Sequence, residues 1–133
     1  MHFRLVDRFL SLSDTSAVAV KNVTAAEEYL QDHFPGFPVL PGVFMIEALT
    51  QAARAVLEKR GMQRMVLGEV KALRYGSFVR PGEALKVEVT LDKVREDGSA
   101  VFKAQGTVLR DGTDPAAAET AVSGRLILRA LRN

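Results

Sequence analysis

The stretch from Val43 to about Arg60 constrains this chain more than any other. Val43, Ile46, Leu49, Ala53, Val56 and Leu57 recur at helical spacing, and Phe44, Met45, Ala48 and Ala52 carry the apolar surface nearly all the way round. A helix of that kind must be covered on most sides. At 1.5 Å per residue it is roughly 27 Å long, enough to run the length of a small domain. Lys59 and Arg60 suit the negative end of its dipole, and Gly61 is placed to cap it.

The segment before the helix is equally constrained. Pro35, Pro38 and Pro41 fix their own φ and push the preceding residues toward extended geometry, while Gly36 allows a turn. His33 is therefore expected on an extended arm. Pro41 suits the first helical position, and Gly42 leaves the first backbone amides sterically open. Such amides, reinforced by the helix dipole, can hold a carbonyl oxygen that gains negative charge, which makes Gly42 a candidate oxyanion donor.

Glu47 is the anomaly in the helix. A carboxyl group shielded from water holds its proton more readily and can deliver it near neutral pH. The pattern also admits a plainer reading, because Glu47, Gln51, Arg54 and Glu58 fall at i, i+4, i+7 and i+11, the spacing of a narrow solvated stripe.

Composition narrows the chemistry. A length of 133 residues with 47% hydrophobic content suits one domain over 1–133 with a real core. The absence of cysteine removes disulfides and thiolate nucleophiles and agrees with a reducing, cytoplasmic setting. No apolar run approaches the roughly 18 residues that cross a bilayer, and the first residues lack the pattern of a signal peptide. A net charge of +2 without interleaved basic and aromatic runs argues against nucleic acid. The two histidines, His2 and His33, have no second ligand at metal spacing, so neither a metal nor another cofactor is expected. Without a nucleophile elbow or a phosphate loop, acid–base chemistry remains.

In chain order, residues 3–12 and 17–24 read as strands joined by a hairpin at Ser13–Ser16. Thr24 and Glu27 form a capping box for a short turn up to Gln31. After the helix, residues 63–76 read as a weakly patterned strand, and Arg80-Pro-Gly-Glu83 as a turn. Residues 84–95 alternate, with Leu85, Val87, Val89 and Leu91 on one face. Asp97-Gly98 marks a hairpin into 100–109, whose inner face is Ala100, Phe102, Ala104, Gly106 and Val108. Residues 113–119 read as a loop, and 120–130 as the closing strand with Val122, Leu126 and Leu128 inward. Gly106 and Gly124 mark points of bending or close approach. The expected class is α+β, a curved antiparallel sheet wrapped around one long helix, with the uncovered face and edge favouring a twofold dimer.

The segment containing His33-Phe34-Pro35-Gly36, Pro38, Pro41-Gly42-Val43, Glu47-Ala48 and Gln51 resembles the beta-hydroxyacyl-acyl-carrier-protein dehydratases of the hotdog-fold superfamily. Their motif sets a glutamate fourteen positions after the histidine, as Glu47 follows His33. Leu5–Arg8, Val20–Thr24 and Arg80–Glu83 resemble further segments of that family. Asp32 stands where glycine is common, and Phe37 where a polar residue is common.

The resemblance implies dehydration of a (3R)-3-hydroxyacyl thioester on acyl carrier protein to the trans-2-enoyl product. His33 would be the base, Glu47 the acid, Gly42 the oxyanion donor, and Gln51 an orienting partner of Glu47. Phe34, Phe37, Phe44 and Met45 would line an acyl tunnel. It also implies a homodimer, in some relatives a trimer of dimers, with His33 of one protomer facing Glu47 of the other. An acidic carrier would dock on basic residues drawn from Arg54, Lys59, Arg60, Arg64, Lys71, Arg74 and Arg80, of which Arg74 and Arg80 are the leading pair. A thioesterase on the same fold, a dehydratase that also isomerises the double bond, and a silent acyl-binding or scaffold protein remain as alternatives. Relatives that isomerise carry aspartate where Glu47 stands.

Overall fold

In a computed structural model of the chain, residues 6–23, 39–110 and 118–131 are described. Six strands form one antiparallel sheet: β1 (Arg8–Leu12), β2 (Ser16–Asn22), β3 (Met65–Tyr75), β4 (Ala84–Val94), β5 (Ala100–Leu109) and β6 (Thr120–Ala130). The order across the sheet is β1-β2-β4-β5-β6-β3, with helix α1 (Gly42–Lys59) leading from β2 to the far edge at β3. The helix packs on one face of the sheet against β2, β4, β3, β5 and β6. This is the expected α+β arrangement.

The strand patterns dictate which face the helix meets. On β5, Ala100, Phe102, Ala104, Gly106 and Val108 point inward and are buried, while Lys103 and Gln105 are exposed. Their partners continue the layer, with Val87 opposite Gly106, Leu91 opposite Phe102, and Leu126 opposite Phe102 on the other side. Gly106 admits this packing because a Cβ there would lie 2.8 Å from Leu85 Cδ1. Gly124 meets the backbone of the bulged β3, where its Cβ would lie 3.2 Å from the Lys71 carbonyl oxygen. Both are points of close approach, as expected.

The helix buries Met45, Ala48, Leu49, Thr50, Ala52, Ala53, Val56 and Leu57. Thr50 resolves its own polarity by donating its hydroxyl to the Ile46 carbonyl at 2.8 Å. Two details differ from the sequence reading. Val43 is 69% exposed rather than part of the buried face. Pro41 is the N-cap, with φ −61° and ψ 143°, so the helix begins one residue later than its ring suggested. The other end closes as expected. Gly61 adopts φ 80° and donates to the Glu58 carbonyl at 3.0 Å, and Met62 donates to Leu57 at 2.9 Å, the paired bonds of a Schellman cap.

Within the described residues β1 starts at Arg8 and β2 runs over Ser16–Asn22, so residues 6, 7 and 23 lie outside the strands expected over 3–12 and 17–24. Thr24, Glu27 and the turn up to Gln31 lie outside the described residues, as do most of the 113–119 loop and the two histidines. Among the described residues no helix is long and apolar enough to cross a membrane.

Candidate active site

The helix start is held open by its neighbours. The Pro41 carbonyl accepts from the amides of Phe44 at 3.0 Å and Met45 at 3.3 Å. Pro41 has no capping side chain, and the first turn has no acidic residue. Among the described residues nothing accepts from the Gly42 or Val43 amide, so both donors are left for an incoming acceptor.

Beside these amides lies a hollow of about 420 Å³, walled by Val39, Met45, Tyr75, Phe78 and Ala121 with Gly42 at its edge. Its lining is mostly apolar, which suits a hydrocarbon chain. The walls are fixed by backbone pairing. Leu40 donates to the Val79 carbonyl at 2.8 Å, drawing the segment before the helix against the chain that follows β3. Gly76 and Ser77 donate to the carbonyls of Ala121 and Thr120, at 2.8 and 3.0 Å, which holds that chain beside β6.

The Tyr75 ring then lies directly on Gly42. A Cβ on Gly42 would sit 2.7 Å from the ring, so only glycine lets helix and ring meet this closely. Partial burial pushes the Tyr75 hydroxyl above its ordinary 10.0, so it stays protonated at neutral pH. Behind Phe78, Arg110 forms a clamp, donating to Glu83, to Glu119 and, at 3.2 Å, to the Phe78 carbonyl. Ser77 donates its hydroxyl to Glu119. That bond first, and then Arg110, holds the Glu119 carboxyl below its ordinary 4.5.

Glu47 stands farther along the helix and is not among the residues lining the hollow. Its Oε1 accepts from Gln51 Nε2 at 3.5 Å and from Arg54 Nη2 at 3.2 Å. Its Oε2 has no partner among the described residues. The side chain is 42% exposed, so the single chain does not supply the shielding that the apolar helix suggested, and the solvated stripe is realised in it. Arg54 Nε, by contrast, is buried without an acceptor among the described residues. A donor left this way typically costs about 1–3 kcal/mol.

The expected site residues therefore divide. Gly42 and Met45 meet the hollow, and Gln51 reaches Glu47. Phe44 packs against the core and is not among the lining residues. Arg54, grouped in the sequence with the docking cations, instead pairs with Glu47. Arg80 lies in the turn before β4 and is exposed, while Arg74 borders a separate hollow formed by β3, β4, β5 and β6. His33, Phe34 and Phe37 lie outside the described residues. Sequence reasoning missed Tyr75, Ser77 and Phe78 as site residues. The available signal was Gly42, whose missing side chain requires a close neighbour.

Comparison with known proteins supports the same chemistry. A family model described as a FabA-like domain matches residues 1–119. A 3-hydroxyacyl-[acyl-carrier-protein] dehydratase FabZ of Pelotomaculum thermopropionicum is 48% identical over 109 residues, covering 78% of this chain and 75% of that protein. The enzyme of the same name from Herpetosiphon aurantiacus is 41% identical over 118 residues, covering 83% of each. Among solved structures, the dehydratase heterocomplex ApeI:P from Xenorhabdus doucetiae superimposes with a TM-score of 0.67 at 16% identity, over 96% of this chain and 98% of that one, a likeness of fold.

Proposed function

This chain belongs to the FabA-like family, and from that premise we propose that it dehydrates (3R)-3-hydroxyacyl-acyl-carrier-protein to the trans-2-enoyl thioester in fatty-acid or related acyl-chain synthesis. The observation that carries the reading is the helix start, whose Gly42 amide has no acceptor among the described residues, opening on an apolar hollow five residues before the Glu47 carboxyl group.

The acyl chain lies in the hollow, and its thioester oxygen accepts from the Gly42 amide. Neutral His33 takes the proton from C2, an ordinary task for an imidazole near pH 7. The electrons of that C–H bond form the C2=C3 double bond while the C3–O bond breaks. Glu47 protonates the departing hydroxyl, which leaves as water, and the proton on His33 then resets the pair. Gly42 stabilises the charge that gathers on the thioester oxygen, and this matters most where water is excluded.

His33 of one protomer serves Glu47 of its partner in this reading. Support comes from β3, an edge strand of eleven residues, and from the exposed apolar rim of Val43, Tyr75 and Phe78 around the hollow. A second copy placed there would also give Glu47 the shielding that it lacks in the single chain. The acidic carrier docks through Arg80 with Arg74.

Purified protein incubated with 3-hydroxyacyl carrier substrates of graded length should form the enoyl product without releasing thiol. His33→Ala and Glu47→Gln should each lower turnover by about 10²-fold or more while remaining folded. Near-normal turnover in either folded variant, or thiol release without enoyl formation, rejects the assignment.

A further inference from the structure

The pairing of Arg54 with Glu47 goes beyond this reading and rests on it. We infer that Arg54 is a positioning residue for the acid, fixing Glu47 Oε1 so that Oε2 is the oxygen that gives up the proton. Three observations carry this. Arg54 Nη2 and Gln51 Nε2 both donate to Oε1, at 3.2 and 3.5 Å, so that oxygen is committed as an acceptor. Oε2 has no partner among the described residues, and in a protonated carboxyl group it is the oxygen left to carry the hydrogen. The Arg54 Nε is buried while the far end of its guanidinium reaches the carboxylate, so the side chain is laid down along the helix rather than waving in solvent.

The arrangement serves the departing proton as well. As Oε2 loses its hydrogen to the C3 hydroxyl, charge gathers on the carboxyl group 3.2 Å from a fixed guanidinium. A cation held in place before the reaction needs no reorganisation when that charge develops. Because both side chains are more than a third exposed, the pair adds little to folding stability. A loss of activity in a variant that still melts normally is then a loss of positioning.

The test is a double-mutant cycle on the full chain, with product followed by mass spectrometry so that slow variants remain measurable. Arg54→Met should lower kcat about tenfold or more, with KM changed less than twofold and a melting temperature no lower than that of the wild type, since the unsatisfied Nε leaves with the guanidinium. Arg54→Lys, which keeps the charge without the planar fork, should recover part of the loss. In a Glu47→Gln background, adding Arg54→Met should change turnover less than twofold, because the group through which Arg54 acts is already gone. An equal loss in that background overturns the inference, and so does unchanged or faster turnover in Arg54→Met alone. Absence of enoyl product from the wild-type protein removes the dehydratase reading itself, and that result is seen before any Arg54 variant is made.

Discussion

Two of the hollows among the described residues differ in their walls, and the larger of the two is not the one that fits the chemistry. That hollow, of about 590 Å³, is an open depression bordered by Arg74, Glu88, Lys103, Gln105, Ser123 and Arg125, on the sheet face where Lys103 and Gln105 point away from the helix. The smaller, of about 420 Å³, opens at the helix start among Val39, Met45, Tyr75 and Phe78. A charged basin on solvated strands stays filled with water, and a hydrocarbon chain gains nothing by entering it. An apolar hollow beside two amides that have no acceptor among the described residues offers burial for the chain and a hydrogen bond for the carbonyl. The nature of the walls, rather than volume, separates a site from a surface feature.

The sharpest way to break this contrast is at neighbouring residues of β5 that face opposite ways. Phe102 is fully buried on the helix side, and Lys103 borders the outer hollow. Phe102→Ala should cost about 3–5 kcal/mol in chemical denaturation. Lys103→Ala should stay within about 0.5 kcal/mol. Next in size is Gly42→Ala. The added methyl group would lie 2.7 Å from the Tyr75 ring, so the ring must swing away or the helix start must shift. Alanine keeps the backbone amide, so only a shift of the helix start displaces the donor, and steady-state kinetics should then show kcat/KM falling by up to about 10²-fold, the range for losing one oxyanion donor. Substitutions around the outer hollow should leave kcat within twofold. Normal activity in Gly42→Ala would mean that the Tyr75 ring swings away and the amide keeps its place, which removes the ring contact, and not the amide, from the mechanism.

How much of this was legible in the sequence depends on the distance over which each feature is decided. Strands β5 and β6 were readable to the residue, because alternation such as Ala100, Phe102 and Ala104 against Lys103 and Gln105 leaves one register. Strand β3 was weakly patterned, and the reason is now visible. It is an edge strand with bulges around Gly68 and Ala72, where Ala72 adopts φ 53°, so strict alternation is broken twice. The helix was plain from its spacing, whereas the meeting of Tyr75 with Gly42 joins positions 33 residues apart and has no local signature. Arg54 stood in view at i+7 from Glu47, yet a cation in a basic run reads as surface until its partner is seen. The exposure of Glu47 was legible as the solvated stripe it forms with Gln51, Arg54 and Glu58, whereas any shielding of it was not, for another reason. What shields a carboxyl group on an outward helix face is whatever docks there, and the chain's own pattern does not encode it.

A smaller effect tests how the rim of the apolar hollow is held. The Glu119 carboxyl is kept below its ordinary 4.5 mainly by the Ser77 hydroxyl, so Ser77→Ala should raise its titration midpoint toward 4.5 in a carboxyl NMR titration. The sign for stability follows from linkage. A carboxylate with a lowered folded value contributes fully above its unfolded value and loses that contribution as pH falls through the folded one. The wild-type melting temperature should therefore drop through this acid window. The Ser77→Ala curve should begin lower at neutral pH and fall less, so that the two converge in acid. Parallel curves would mean that the bond does not hold the rim.

The smallest expected effect separates the two hollows by the partner they meet. Arg80 lies between Val79, whose carbonyl holds the segment before the helix, and Glu83, which Arg110 clamps, whereas Arg74 borders the outer hollow. A carrier delivering an acyl chain to the inner hollow must approach from the side of the 76–83 segment, so Arg80 should matter more than Arg74. Arg80→Ala should raise KM for a carrier-borne substrate about threefold at low salt, with kcat unchanged, and the difference should fade as salt screens the attraction. Arg74→Ala should raise it less. The same substrate on a short thiol without the carrier isolates the cause, because neither variant should then differ from wild type. If Arg74→Ala has the larger effect on the carrier-borne substrate alone, the carrier engages the outer face as it delivers the chain, and the basin there acquires the partner that its charge was waiting for.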